Sequence, residues 1–291
     1  MEVLVIGGTG MVGSEVVRRL LAGGITPRVL LRSPEKAAGL PEGARAAAGD
    51  LRRPESLDSA FQGAEAVFLL NALSQDETAQ GLAAVGAARR EGVAHVVYMS
   101  VHGLRETPHI PHFASKIPIE DALRDSGLEW TFLRPNSFFQ NDLRFAAVIA
   151  GNGVYPQPIG NAGTSRVDVR DIAGAAFNAL TRREHRNRAY PLVGPDILTA
   201  DQVAAIYSKH LGREVRYAGD DLDVWAAEVA RMLPGWLVED LRIMYAHFQK
   251  HGLKAASGEL ALCETVLGRP PRSFESWVAE VAPSWKAAAG R

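Results

Sequence analysis

Short apolar runs alternate with amphipathic stretches through roughly the first 180 residues of the chain. Residues 2–6 (EVLVI), 28–31 (RVLL), 65–70 (EAVFLL), 95–99 (HVVYM) and 129–133 (EWTFL) are short, rich in branched or aromatic side chains and largely unalternating. That pattern predicts strands covered on both faces. The stretches between them carry helix punctuation. Gly23 and Gly24 close the first helix, Ser33 and Pro34 open a short one over 35–40, and Gly92 closes the helix before HVVYM. Glycine accepts the geometry of a helix end, and proline suits a first turn. Strand and helix in alternation imply right-handed crossovers, and so a parallel sheet with helices on both faces.

After residue 152 the rhythm changes. Residues 151–163 are rich in glycine and proline and read as a long surface loop; 166–169 read as a short strand, and Asp171 as the cap of a helix over 172–180. From residue 187 the pattern is mostly helical. Thr199 with Gln202 forms a capping box ahead of VAAIYSKHL, and Ser273 opens FESWVAEV. The expected division is a sheet domain over 1–186, whose loop 151–165 reaches to a smaller, mostly helical substrate-binding cap over 187–291.

Composition narrows the class. Apolar residues make up 47% and charged residues 22% of the 291, which is ordinary for a folded globular chain. Lysine and arginine number 32 against 33 aspartates and glutamates, so the balance of −1 points to neither nucleic acid nor an anionic membrane as partner. The one cysteine, Cys263, allows no disulfide within the chain and reads as a small buried hydrophobe. MEVLVIGG has no cationic leader, and no apolar run approaches the ~18 residues of a membrane span. A cytoplasmic protein acting on a small molecule is the expectation.

Directly after the first strand comes Gly7-Gly8-Thr9-Gly10-Met11-Val12-Gly13. It satisfies Gly-x-Gly-x-x-Gly from Gly8 and Gly-x-x-Gly-x-x-Gly from Gly7. Either way, glycine permits the tight turn and lets backbone N–H groups meet a pyrophosphate at the start of the next helix. Gly13 lets that helix press on the strand. Such turns are common, and this one gains weight from its context of strand before, helix after and second strand about twenty residues on. It predicts a Rossmann-type, doubly wound α/β domain that binds a dinucleotide. A carboxylate at the end of the second strand would pair with the ribose 2′-hydroxyl and favour NAD(H). This chain has Leu31-Arg32-Ser33 there, with no carboxylate before Glu35. Arg32 is either a solvated surface arginine or the forked partner of a 2′-phosphate. Its position favours the second, and NADP(H) over NAD(H).

GGTGMVG, Arg32, Gly49-Asp50-Leu51, the run LRPNSFFQN over 133–141, VDVRDIA over 167–173 and LGRPPR over 267–272 followed by Phe274 carry a resemblance. The chain resembles the atypical short-chain dehydrogenases/reductases, and more narrowly the NmrA-like family. That family includes NADPH-dependent quinone and dye reductases as well as redox-sensing regulators. The resemblance spans nearly the whole chain. It implies a cofactor site of Gly7, Thr9, Gly10, Met11, Val12 and Gly13, with Arg32 at the 2′-phosphate and Asp50 and Leu51 near the adenine. It puts Asn71, Ala72 and Leu73 beside the adenosine and pyrophosphate, and Ser100, Pro135 and Asn136 at the nicotinamide.

One departure matters for the chemistry. Ordinary short-chain dehydrogenases carry Tyr-x-x-x-Lys on one helix face. None of the six tyrosines here (98, 155, 190, 207, 217 and 245) has lysine four residues later. The corresponding place reads His112-Phe113-Ala114-Ser115-Lys116. Lys116 retains the role of binding the nicotinamide ribose, and the tyrosine proton donor is missing. His112 is either a proton source, as the side chain titrating nearest neutrality, or a local helix cap. Without a strong acid, reduction of an unactivated ketone is disfavoured, whereas a quinone or conjugated dye delocalises the charge. The leading expectation is therefore hydride transfer from NADPH to a conjugated or aromatic small molecule, with Lys116 and His112 as catalytic candidates. The rival is a non-catalytic NADP(H)-binding redox sensor acting through a protein partner. An epimerase ranks lower because it needs the same tyrosine. His102, His109 and His112 lie in one loop, but no carboxylate or cysteine pattern accompanies them and Pro108 and Pro111 break any regular spacing, so no metal site is expected. Glu120 and Asp121 read as partners for Lys116 or for solvent.

Overall fold

The structure is a computed structural model and describes residues 1–289. Its strands are β1 (Val3–Val5), β2 (Arg28–Leu31), β3 (Arg45–Ala48), β4 (Ala66–Leu69), β5 (His95–Met99), β6 (Glu129–Pro135), β7 (Val154–Tyr155), β8 (Arg188–Leu192) and β9 (Arg216–Tyr217). The α-helices are α1 (Met11–Ala22), α2 (Asp58–Phe61), α3 (Glu77–Arg90), α4 (Pro111–Ala114), α5 (Ile117–Arg124), α6 (Val169–Thr181), α7 (Ala200–Leu211), α8 (Leu222–Val229), α9 (Gly235–His251), α10 (Glu259–Leu267) and α11 (Phe274–Ala289). No described helix is long and apolar enough to cross a membrane.

Two compact units partition the chain. The first comprises Met1–Pro135, Val169–Leu192 and Leu262–Arg269; the second comprises Asn136–Asp168, Val193–Ala261 and Pro270–Arg291. The first is a doubly wound α/β unit built on a seven-stranded sheet of order β3-β2-β1-β4-β5-β6-β8. Every neighbouring pair in it is parallel. Alternate strand positions face opposite sides. Leu4, Ile6, Val67, Leu69, Val96, Tyr98 and Phe132 share a buried cluster with Phe61 of α2, Val85 of α3 and Ile119 and Leu123 of α5. On the other side α1 packs along α6. Their approach is close: a Cβ on Gly23 would stand 2.3 Å from the Phe177 ring.

The second unit holds the two-stranded sheet β7–β9 together with α7, α8, α9 and α11. Its centre is a buried ion pair. Arg166 grips both carboxylate oxygens of Asp142 at 3.0 and 2.8 Å and donates to the Phe138 carbonyl at 2.8 Å. The Tyr207 hydroxyl donates to the same carboxylate at 2.7 Å, and burial together with the Asp142 charge pushes the Tyr207 pKa well up. Phe274 lies 4.9 Å under the Arg166 guanidinium, Tyr207 stacks on Trp285 and meets Phe274 edge-on, and Trp277 contacts both Phe274 and Trp285.

Three sequence expectations need correction. Residues 151–163 are largely buried rather than a surface loop, because β7 pairs with β9 and Gln157 turns inward to Asp142. Residues 166–169 are no strand: Val167 makes one bridge to Phe138, the Arg166 side chain is drawn inward by Asp142, and α6 already begins at Val169. Past residue 187 the first element is a strand, β8, which joins the sheet beside β6. Pro191 hid it from the sequence, and its place on an edge strand is where proline is tolerated. Because α6 begins at Val169, Asp171 lies inside it instead of capping it, whereas the capping box of α7 holds. Thr199 Oγ1 accepts from the Gln202 N–H at 3.2 Å while Gln202 Oε1 accepts from the Thr199 N–H at 2.9 Å, and Cys263 is fully buried.

Candidate functional site

The sheet grows in opposite directions from the β1–β4 pair, with β2 and β3 added on one side and β5, β6 and β8 on the other. Open parallel sheets bind ligands at the carboxyl ends of the strands beside such a switch. The glycine turn leaves β1 at this point. Gly7 has φ 78°, and a Cβ there would stand 2.7 Å from the Leu70 carbonyl oxygen just past β4. A Cβ on Gly13 would meet the Gly7 carbonyl oxygen at 2.0 Å, and one on Gly8 would meet Val29 at 2.6 Å. The turn is therefore wound as tightly as backbone allows, held by a 3.0 Å bond from the Gly10 N–H to the Gly7 carbonyl. Gly10 caps α1 without a side chain, and the first turn of α1 holds no acidic residue. Thr9, Gly10 and Met11 are exposed, whereas Val12 and Gly13 are buried. Helix N–H groups left without a side-chain acceptor, at the positive end of a twelve-residue helix, suit an anion.

The other sequence candidates in the first unit follow the same rule of position. Arg32 comes one residue after β2, Asp50 two after β3, Asn71 two after β4 and Ser100 one after β5, while Pro135 ends β6. Arg32 is exposed and makes no ion pair among the described residues. Asp50 is partly buried and its Oδ1 accepts from the Arg52 N–H at 3.0 Å; Leu51 beside it is half-buried. Ala72 and Leu73 are exposed. Asn71 and Ser100 stand out. Asn71 is 6% and Ser100 3% exposed, and neither the Asn71 Nδ2 and Oδ1 nor the Ser100 Oγ has a hydrogen-bond partner among the described residues. Buried polar atoms are costly unless satisfied. A polar ligand at the carboxyl ends of β4 and β5 would satisfy them, so these residues fit the dinucleotide that the glycine turn implies.

Lys116 occupies the cap position of α5, directly after His112 on α4 and Ser115. Its ammonium is ion-paired with Glu77 Oε1, and the Ser115 hydroxyl donates to Glu77 Oε2 at 3.0 Å. The sequence reading missed Glu77. It is the first residue of α3 and is 1% exposed. Glu120 and Asp121 do not take Lys116. Glu120 pairs with Arg134 at 2.6 Å and with Arg124 at 3.2 Å, and Asp121 pairs with Arg105 and Arg124. His112 is half-buried, its ring edge-on to Phe113 with centroids 4.8 Å apart. Tyr98 on β5 lies fully buried, and burial followed by the Glu77 and Glu120 charges raises its pKa well above the usual phenol range. Asn136 belongs to the second unit. There its Nδ2 donates to the Leu253 carbonyl at 2.7 Å and its Oδ1 accepts from the Ser137 N–H at 2.7 Å.

The profile of the NmrA-like family matches residues 1–278. The chain belongs to the NmrA-like family. Among NmrA-like relatives, it is 37% identical over 290 residues to the NAD(P)H azoreductase of Xenophilus azovorans, covering 98% of this chain and 100% of that one. Two solved structures share the fold at 25% identity. The NADPH-dependent quinone oxidoreductase of Escherichia coli complexed with NADPH superposes with a TM-score of 0.86 over 96% of this chain and 99% of that one. The triphenylmethane reductase of Citrobacter sp. complexed with NADP(H) gives 0.84 over 97% and 100%.

Proposed function

We propose that this protein is an NADPH-dependent oxidoreductase that passes hydride to a conjugated, electron-poor small molecule such as a quinone or dye. The observation that carries the reading is the set of unsatisfied buried polar atoms on Asn71 and Ser100 beside a glycine turn whose helix offers uncapped N–H groups. The azo, quinone and dye reductases among its relatives support the same chemistry.

When bound, the reduced nicotinamide supplies the hydride. The chain supplies position. The N–H groups of Thr9, Met11, Val12 and Gly13 hold the diphosphate on the turn that Gly7 and Gly10 close, Asp50, Leu51, Ala72 and Leu73 border the adenosine, and Arg32 pairs with the 2′-phosphate, which gives NADP(H) its preference over NAD(H). Asn71 and Ser100 take polar atoms of the cofactor, Pro135 borders the nicotinamide, and the Lys116 ammonium binds the nicotinamide ribose. His112 is the proton source offered by the sequence in place of the tyrosine. Since no strong acid is present, rate comes chiefly from holding donor and acceptor in line, and acceptors that spread the incoming charge are favoured. The setting is the cytoplasm. The regulatory alternative has no observation of its own.

The test is oxidation of NADPH by the purified protein, followed by absorbance, across quinones, azo dyes and unactivated ketones. Turnover is expected with the first two classes and not with the third. Tight NADPH binding with no turnover on any acceptor would move the protein to the sensor class.

A further inference from the structure

Lysine carries a long flexible stem, and a site that needs its ammonium in one place must restrain it. The restraint on Lys116 is not the neighbouring acidic pair, which arginines occupy. It comes from a residue 39 positions away in sequence. Glu77 opens α3 with its carboxylate fully buried, and both oxygens are engaged: Oε1 by the Lys116 ammonium and Oε2 by the Ser115 hydroxyl, whose single proton is shared at 3.0 Å with the His112 carbonyl. The next residue ties the same segment down, since Thr78 Oγ1 donates to the Ser115 carbonyl at 2.7 Å. Gly81, one helical turn beyond Glu77, brings α3 this close to α5: a Cβ there would stand 2.2 Å from Ile119 Cδ1. A buried ion pair adds little stability over an apolar pair of the same volume. Packing alone therefore gives no reason for a charge at Glu77.

We infer that Glu77 is a positioning residue of the reductase site, holding the Lys116 ammonium where the nicotinamide ribose is to be bound. This rests on the role given to Lys116 above. Glu77 acts through lysine and touches no substrate.

The two claims separate in a binding experiment that needs no turnover. NADPH and adenosine 2′,5′-bisphosphate, which lacks the nicotinamide riboside, are titrated against the wild-type protein, Lys116→Met, Glu77→Gln, Ser115→Ala and the double variant Glu77→Gln/Lys116→Met, with melting temperatures measured alongside. Glu77→Gln should weaken NADPH about tenfold, the size of one lost charge-assisted hydrogen bond. It should leave the bisphosphate unchanged. The double variant should bind NADPH no more weakly than Lys116→Met alone, because Glu77 has nothing left to position. Ser115→Ala, which removes one bond to the carboxylate and keeps the ion pair, should give the same selective loss at smaller size and covers the case in which Glu77→Gln fails to fold. Selective weakening by Lys116→Met with no effect of Glu77→Gln or Ser115→Ala overturns the role of Glu77 alone. Equal weakening of both ligands together with a lowered melting temperature does the same and makes Glu77 a structural residue. NADPH affinity unaffected by Lys116→Met overturns the lysine assignment and this inference with it.

Discussion

Replacing Gly13 with alanine sets two physical effects against each other, and the structure decides the winner. Gly13 lies inside α1, where helix propensity by itself makes Gly→Ala stabilising by about 0.5–1 kcal/mol. A Cβ at this position, however, would stand 2.0 Å from the Gly7 carbonyl oxygen, 2.6 Å from its carbon and 2.8 Å from Gly8 Cα. All three are backbone atoms of the phosphate-binding turn, so no side-chain rotation relieves the clash. Overpacking of this kind costs about 1–3 kcal/mol, and rigid backbone puts this site at the upper end. The net is a loss of about 2 kcal/mol, with a fall in melting temperature of roughly 2–4 °C per kcal/mol. Gly86 is the internal control. It also lies inside a helix, but a Cβ there meets only the far end of the Arg90 side chain at 3.3 Å. Gly86→Ala should therefore raise stability by about 0.5–1 kcal/mol. Urea unfolding of both variants beside the wild type, with an NADPH titration of each, measures the pair. Opposite shifts, with NADPH binding lost only in Gly13→Ala, are expected. A Gly13→Ala protein as stable as Gly86→Ala would refute the argument that turn geometry, rather than helix propensity, governs this position.

Other perturbations test other parts of the account. Burial pulls the His95 pKa down to about 4 from 6.5. The unfolded chain therefore takes up more protons between those values, and this group should cost up to about 3 kcal/mol of stability as pH falls from 6.5 towards 4; urea midpoints across that range should change less steeply in His95→Gln, and equal slopes would count against it. Asn178 Nδ2 donates to the Val266 and Leu267 carbonyls at 2.8 and 3.2 Å, closing the end of α10. Asn178→Ala should lose about 1–3 kcal/mol in denaturant unfolding, and an unchanged midpoint would contradict that. Arg32→Ala should reduce any preference for NADPH over NADH by about tenfold or more, read as the ratio of the two dissociation constants; a preserved ratio would remove Arg32 from the 2′-phosphate.

The sheet was legible where burial on both faces dictated composition. RVLL and HVVYM are β2 and β5 to the residue, and the glycine turn announced itself through strand, turn and helix in succession. Legibility ended where a local signal had a second meaning. Residues 188–192 fell within a stretch that read as mostly helical and form an edge strand holding Pro191, and the glycines and prolines of 151–163 suggested exposure in a segment that Gln157 and Tyr155 bury. Arg166 read as one strand residue among others, while its charge is spent on Asp142. In the candidate site, positions at strand ends could be named from order alone. Glu77 could not, because its bond to Lys116 joins distant parts of the chain and nothing near it in sequence marks it. Gly81 and Gly86 both lie inside α3, and only the structure shows that α5 is pressed against the first of them.

The central claim is direct hydride transfer from a dinucleotide held at the glycine turn. Its most direct test is a single turnover with NADPH carrying deuterium at the transferring position of nicotinamide C4, mixed with protein and a quinone. Oxidation should be distinctly slower with deuterium than with hydrogen and should disappear in Lys116→Met. Equal rates with the two isotopes, or no oxidation while NADPH is bound, would contradict it.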